Sequence, residues 1–315
     1  MRVLEIENVT KHYRKKAALA GVSIELDEGY VMGIVGPNGA GKTTLLKAIL
    51  NLVRIDSGRI SLFGTRHIDA ERATRDRIGF VHEESYLYEP INLGDLERIC
   101  RAAYTQWNRQ SFRNYVDRFE LPPKRRIKEY SKGMKMRLSV AVALSHEAEL
   151  IVMDEPSSGL DPLVRRELID VIGEELAREN RTFLIATHIT SDLDRIADYV
   201  VVLDGGQVRL SVTRDEMADN YALCKGGTEV LARDTNGCFR GVSRNEFGFT
   251  ALTSERQEVA KRFGDEVVME RATIEDLMVH TLARTGESPR RDGLRIVARD
   301  TGTPEGAPDG DGGVQ

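Results

Sequence analysis

Three scarcities narrow the reading first. Cysteine is rare: Cys100, Cys224 and Cys238 are all there are in 315 residues, and none forms a CxxC pair. Three thiols make no disulfide framework, which places the expectation in a reducing cytoplasm. Long hydrophobic runs are missing. The longest, such as Tyr199–Leu203 and Leu150–Met153, are strand-length, far short of the roughly 18–20 residues of a membrane-spanning helix. Glu5, Glu7, Lys11 and Arg14 break up the N-terminus, so no signal-peptide core is expected there. A basic excess is missing too, since 45 Lys+Arg stand against 50 Asp+Glu for a formal charge of −5. That balance leads to no expectation of a nucleic-acid partner. What is present suffices for a packed core: 41% hydrophobic and 30% charged residues, in a length that suits about two domains.

Residues 1 to about 212 alternate between strand-like and helix-like periods, as in an α/β domain. Val3–Val9, Val22–Leu26, Tyr30–Val35, Arg59–Phe63 and Ile78–His82 read as strands. From Asn92 to His146 the spacing of Leu93, Leu96, Ile99, Cys100 and Ala103 predicts a helical insertion, broken at Leu121-Pro122-Pro123. The wholly apolar Leu150–Met153 and Phe183–Ala186 predict central parallel strands covered on both faces. Asp204-Gly205-Gly206 predicts a hairpin between Tyr199–Leu203 and Gln207–Leu210. A small α+β unit is expected over 213–284. Its strands are read at Glu229–Arg233, Phe247–Leu252 and Glu266–Met269, with helices near Glu255–Phe263 and from Thr273 to Ala283. Thr273 reads as an N-cap, followed by the acidic first-turn residues Glu275 and Asp276. The seven Gly and three Pro of residues 285–315 predict a disordered tail.

The chemistry begins at Gly36-Pro37-Asn38-Gly39-Ala40-Gly41-Lys42-Thr43-Thr44. This run fits G-x-x-x-x-G-K-[ST], follows an apolar strand and opens the helix-like Leu45–Leu52, the context a phosphate-binding loop requires. Its glycines let backbone N–H groups turn inward, and the helix N-terminus adds partial positive charge. Lys42 would reach the β- and γ-phosphates, and the Thr43 hydroxyl would ligate Mg²⁺. Leu150-Ile151-Val152-Met153-Asp154-Glu155 describes a buried strand whose C-terminal tip presents two acids where α/β sheets bind ligands. Asp154 is the expected Mg²⁺ residue, and Glu155 is placed to take a proton from an attacking water.

With these two motifs in place, the chain resembles the nucleotide-binding subunits of ATP-binding-cassette (ABC) transporters, and further motifs follow in the family's order. Tyr13, 23 residues before Gly36, stands where the family keeps an aromatic that stacks on adenine. Tyr130-Ser131-Lys132-Gly133-Met134 stands at the signature, Ser158-Gly159-Leu160-Asp161 at the D-loop, and His188 at the switch histidine. Taken alone, a tyrosine such as Tyr13 is more often a packed aromatic and a histidine such as His188 more often a structural one; here each gains its role from its position relative to the phosphate loop. Two departures stand out. The glutamine expected after Ile78–His82 is Glu83, and the signature carries Lys132 where glycine is usual while keeping Ser131 and Gly133. Without metal, Glu83, Asp154 and Glu155 are expected to be three close acids that repel one another.

The resemblance implies a P-loop NTPase fold of the ABC ATPase type over residues 1–212. That fold has a mostly parallel sheet core, an antiparallel β subdomain and a helical subdomain at about 85–146. It implies a cytoplasmic ATPase, bound to the inner face of the cell membrane through integral permease subunits. It also implies ATP and Mg²⁺ as ligands, and a homodimer or a heterodimer with a paralogous ATPase. Two chains would pair head to tail, each ATP lying between one phosphate loop and the partner's signature. The segment Ile78–Glu89, the SKGM form of the signature and the helix Thr273–Ala283 resemble drug- and antibiotic-exporting members. The loop Glu83–Pro90 and the helical insertion are the expected contact for the permease. An importer ATPase and a soluble ABC ATPase outside transport remain the alternatives. A tandem-cassette ATPase would carry two phosphate loops, and a chromosome-type ATPase would carry a coiled coil in place of the 87 residues between Lys42 and Tyr130.

Overall fold

The computed structural model describes residues 1–66, 72–84, 86–178 and 181–283. The tail read from 285 onward lies outside the described residues. Three sheets organise the chain. The first is antiparallel, in the order β2-β1-β4-β5, with β1 at Arg2–Tyr13, β2 at Lys16–Asp27, β4 at Ser57–Leu62 and β5 at Thr65–Arg66. Leu4, Ile6, Leu19, Ile24 and Leu26 point inward. They form one core with helix α1 (Lys42–Ile49) and with one face of the second sheet.

The second sheet carries the site. Its order is β10-β9-β3-β8-β7-β6, built from β3 (Val31–Val35), β6 (Ile78–His82), β7 (Leu150–Asp154), β8 (Thr182–Thr187), β9 (Tyr199–Asp204) and β10 (Gln207–Thr213). All neighbours pair in parallel except β10, the hairpin partner of β9. Every residue of β3, β7 and β8 is buried. That is why these strands read as continuous apolar runs without alternation.

The opposite face is covered by helices. Helix α5 (Lys132–Leu144) packs on β6 and α7 (Thr190–Ile196) on β3, with α2 (Arg72–Asp76) beside β6, α4 (Arg109–Arg118) on α5 and α6 (Pro162–Leu176) on α7, while α3 (Leu93–Ala103) buries Leu93, Leu96 and Cys100 in the same core. Asn92 and Asn108 cap α3 and α4 by accepting from Asp95 N and Ser111 N, supplying acceptors for N–H donors that a helix start leaves unpaired. Helix α5 is buried along Leu138–Leu144 on every side, the pattern of a helix inside a core.

The third sheet is antiparallel, in the order β12-β13-β11-β14, from β11 (Ala222–Gly226), β12 (Arg240–Asn245), β13 (Gly248–Thr253) and β14 (Val267–Arg271). Helices α8 (Arg214–Asn220), α9 (Thr228–Arg233), α10 (Arg256–Phe263) and α11 (Ile274–Leu282) accompany it. The strand read at Glu229–Arg233 is therefore a correction. The segment is helix α9, which buries Val230 alone; the sheet position belongs to β11, whose Ala222 and Cys224 alternate inward. Helix α11 opens on a capping box between Thr273 and Asp276, as the sequence suggests. It packs against α7, β9 and β12, so Ile274 and Leu277 join the same core as Leu193 and Val200. Among the described residues no helix is long and apolar enough to cross a membrane.

Candidate functional site

The loops that follow β3, β6 and β7 open onto one cavity of about 350 Å³. Tyr13, Lys16, Ala18, residues 38–44, Glu83 and Glu155 line it. Its floor is the loop between β3 and α1. Two glycines of that loop permit what side chains would forbid. A Cβ on Gly36 would lie 2.1 Å from the Leu203 carbonyl, and one on Gly41, at φ +112°, would lie 2.5 Å from the Ala18 carbonyl. The β9–β10 turn clamps the loop from outside, with Gly206 N donating to Ala40 O at 2.8 Å.

Lys42 is buried at 6% exposure. Its ammonium donates to the carbonyls of Gly36 at 2.7 Å and Pro37 at 3.3 Å, and lies 3.5 Å from Glu155 Oε1. The cation is thus held over the cavity floor by its own loop. Thr43 begins the same helix and hydrogen-bonds Asp154 at the tip of β7. Asp154 is almost fully buried, and its Oδ1 has no hydrogen-bond partner. Burial pushes its carboxyl above the ordinary range, while the Thr43 hydroxyl and His82, 3.6 Å away, pull the other way. A buried carboxylate oxygen without a donor, beside a threonine hydroxyl, fits a hard cation. Among the described residues no three His, Cys, Asp or Glu side chains cluster as an all-protein metal centre. The fit is to an ion such as Mg²⁺, which takes one or two carboxylates and completes its shell with phosphates and water.

Glu155 occupies the left-handed region at φ +49°, a conformation that costs a non-glycine residue of order 1–3 kcal/mol and collects at functional sites. Its backbone N–H donates to Ala186 O at 2.8 Å. One oxygen, Oε2, accepts from Thr187 Oγ1 at 3.0 Å and from His188 N at 3.1 Å, and lies 2.8 Å from His188 Nδ1. His188 and the candidate base are therefore in direct contact.

Glu83 lines the cavity from the loop after β6. Its Oε1 accepts from Lys132 Nζ at 3.1 Å and from Ser158 Oγ at 2.9 Å. Lys132 first, and Ser158 after it, hold this carboxyl below the ordinary range against desolvation. Of the three acids expected to repel one another, Asp154 does feel Glu155, which helps push its carboxyl up, whereas Glu83 is paired with Lys132 and Glu155 lies beside Lys42. Tyr13 is half-exposed at the rim, with Lys11 Nζ 5.4 Å from its ring centre.

Other singled-out residues stand elsewhere. Ser131 caps α5 by accepting from Met134 N at 3.2 Å. Asp161 caps α6, its Oδ1 accepting from Leu163 N and Val164 N at 3.0 Å each. Neither Ser131, Gly133 nor Asp161 lines the cavity. Sequence reasoning missed His82, Thr187 and Lys16. His82 is paired in register with Asp154 across β6 and β7, and Thr187 directly precedes His188, so sheet register was the signal for both. It also missed Asp192, which accepts from Ser157 Oγ at 2.5 Å and pairs with Arg165, tying the strand-end loop after Glu155 to α6 and α7.

Comparison with known proteins agrees with this geometry. Residues 19–158 match the family described as ABC transporter. An ABC transporter ATP-binding protein of Synechocystis is 31% identical over 245 residues, 72% of this chain and 68% of that one. The daunorubicin resistance ATP-binding protein DrrA3 of Streptomyces coeruleorubidus is 34% identical, over 68% of this chain and 69% of its own length. The lantibiotic transport ATP-binding protein SrtF of Streptococcus pyogenes is 33% identical, over 68% and 92%. A solved ATP-binding subunit of an ABC transporter superposes with a TM-score of 0.63 at 29% identity, covering 68% of this chain and 91% of that one. With the loop of residues 38–44, Glu83 and Glu155 lining one cavity, on a fold and sequence shared with these proteins, the chain belongs to the family of ABC transporter ATP-binding proteins, as an ATPase of that family.

Proposed function

We propose that this ATPase drives export through separate integral membrane permease subunits, closing head to tail with a second chain around two ATP–Mg²⁺. The observation that carries the reading is a division of the site. Lys42 and Glu155 meet 3.5 Å apart in the cavity, while Ser131 and Gly133 of the signature stand outside it. A signature whose serine and glycine stand outside their own cavity fits a second subunit's nucleotide. In this reading residues 1–212 are the nucleotide-binding domain, 85–146 its helical subdomain and 213–284 a smaller C-terminal domain.

The loop amides and Lys42 bind the phosphates, and Tyr13 offers its face to the adenine. Thr43, Asp154 and Glu83 are the residues that would hold Mg²⁺, which when bound neutralises phosphate charge and withdraws electrons from the γ-phosphoryl group. Glu155 takes a proton from water as the water oxygen bonds to the γ-phosphorus and the bond to the β-phosphate oxygen breaks. His188, hydrogen-bonded to Glu155, orients that carboxylate. Export is favoured over import by relatives named for daunorubicin resistance, lantibiotic transport and bacitracin transport.

Complementation tests the arrangement. Lys42→Ala and Ser131→Arg chains should each be inactive alone. Mixed, they form one composite site with a sound phosphate loop and a sound signature, so activity should return. Mixtures that stay inactive while the chains exchange partners contradict the head-to-tail pairing. For direction, inverted vesicles carrying the complex with its ATPase outside should fill with substrate; an importer would empty them.

A further inference from the structure

The two residues that leave the family's pattern touch each other. Lys132 opens α5 at its first helical position, where the partial positive charge of a helix N-terminus disfavours a cation. The first turn of α5 carries no acid to offset it. Glu83 lines the same cavity as Glu155, and its partial burial there works against a negative charge. The ion pair at 3.1 Å relieves both. Ser158 adds its hydroxyl to the same carboxylate oxygen, and Lys132 Nζ lies over Gly159, 3.0 Å from where a Cβ there would be. The contact therefore ties together three loops of one chain: the one after β6, the signature before α5 and the D-loop before α6.

We propose that Glu83 and Lys132 form an intrasubunit latch, closed in the nucleotide-free chain and opened when ATP and a divalent cation draw Glu83 to the metal. This rests on reading the cavity as an ATP–Mg²⁺ site. Glu83 cannot give its charge fully to both Lys132 and a cation. Opening releases Lys132 at the head of α5, beside Ser131 and Gly133, where it becomes available to the γ-phosphate of the nucleotide held by the second subunit. Filling one cavity thereby primes the signature that serves the other. Both side chains are partly exposed, 48% and 39%, so the pair is worth a factor of about two to five in an equilibrium rather than a large one. Its consequence comes from its place between two sites.

The test is a double-mutant cycle of wild type, Glu83→Gln, Lys132→Ala and the double variant, in the full chain. First, hydrogen exchange is followed in nucleotide-free protein over peptides 83–91 and 130–136. Each single variant should speed exchange in both peptides about two- to five-fold, and the double variant no more than either single. Singles that match wild type, or effects that add, overturn the latch. A charge-reversed pair, Glu83→Lys with Lys132→Glu, should restore slow exchange; failure to do so also overturns it. Second, Mg²⁺ is titrated against binding of a fluorescent ATP analogue. Lys132→Ala should lower the half-saturating Mg²⁺ about two- to five-fold when Glu83 is present, and leave it unchanged beside Gln at position 83. An equal shift in both backgrounds overturns the competition. If Lys42→Ala binds the analogue as wild type does, the ATP-site reading fails, whatever the exchange experiment shows.

Discussion

The buried ammonium of Lys42 rests on the carbonyls of its own loop, with Glu155 at 3.5 Å. Phosphate oxygens offer a buried ammonium far better partners than two carbonyls do. Lys42→Ala should therefore lose tight ATP binding and turnover. Losing a charged hydrogen bond costs about 1.5–3 kcal/mol of stability, too little to unfold a core of this size. Unchanged ATPase in the purified variant would remove the phosphate-loop assignment. At this scale the sequence was informative wherever the chemistry is contiguous. Residues 36–44 and the pair Asp154-Glu155 could be read directly, because one strand and its following turn place them. The Lys132–Glu83 contact spans 49 residues and the Asp192–Ser157 contact 35. Neither carries a local pattern, and both depend on which loops the sheet brings together.

Among the elements, those with a clear apolar pattern matched their reading, and the short, weakly patterned ones of the C-terminal part did not. β6 is found at Ile78–His82, and the hairpin turn falls at Asp204–Gln207. β12, with the sequence RGVSRN, is an edge strand with a single buried residue, Gly241, and it offers no alternation to read. α9 was mistaken for a strand because a segment of six residues with one buried side chain has no period at all. Ser131 shows an element-scale demand within a functional motif, since it is the N-cap of α5. Ser131→Ala should cost about 1 kcal/mol in urea unfolding, separately from any effect on turnover. Ser131→Thr should keep most of the cap. Equal stability of wild type and Ser131→Ala would show that the hydroxyl does not hold the helix start.

At the scale of the whole molecule, the ATPase core and the C-terminal sheet are not independent. Ile274 and Leu277 of α11 are buried against the core that also contains Leu193 and Val200. Leu193 belongs to the helix just after His188, so α11 supports the back of the switch. Leu277→Ala should destabilise by about 2–5 kcal/mol and lower the temperature of a single cooperative transition. Two separate transitions, with only the smaller one shifted, would show instead that the C-terminal unit melts alone. This continuity was not legible in the sequence, where residues 213–284 read as an appendage; shared burial across units leaves no mark on composition.

The account turns on Glu155 as the base of a site completed by a second chain. Glu155→Gln keeps the shape and the hydrogen bonds of the left-handed turn but cannot accept a proton. Removing a general base slows reaction typically 10²–10⁴-fold, about 3–5 kcal/mol at 1.36 kcal/mol per decade. Single-turnover hydrolysis and size-exclusion chromatography of this variant with ATP and Mg²⁺ should show cleavage slowed by that factor, ATP still bound, and the chain eluting as a dimer only when ATP is present. A variant that stays monomeric under those conditions and hydrolyses ATP at the wild-type rate would contradict both the base and the paired site.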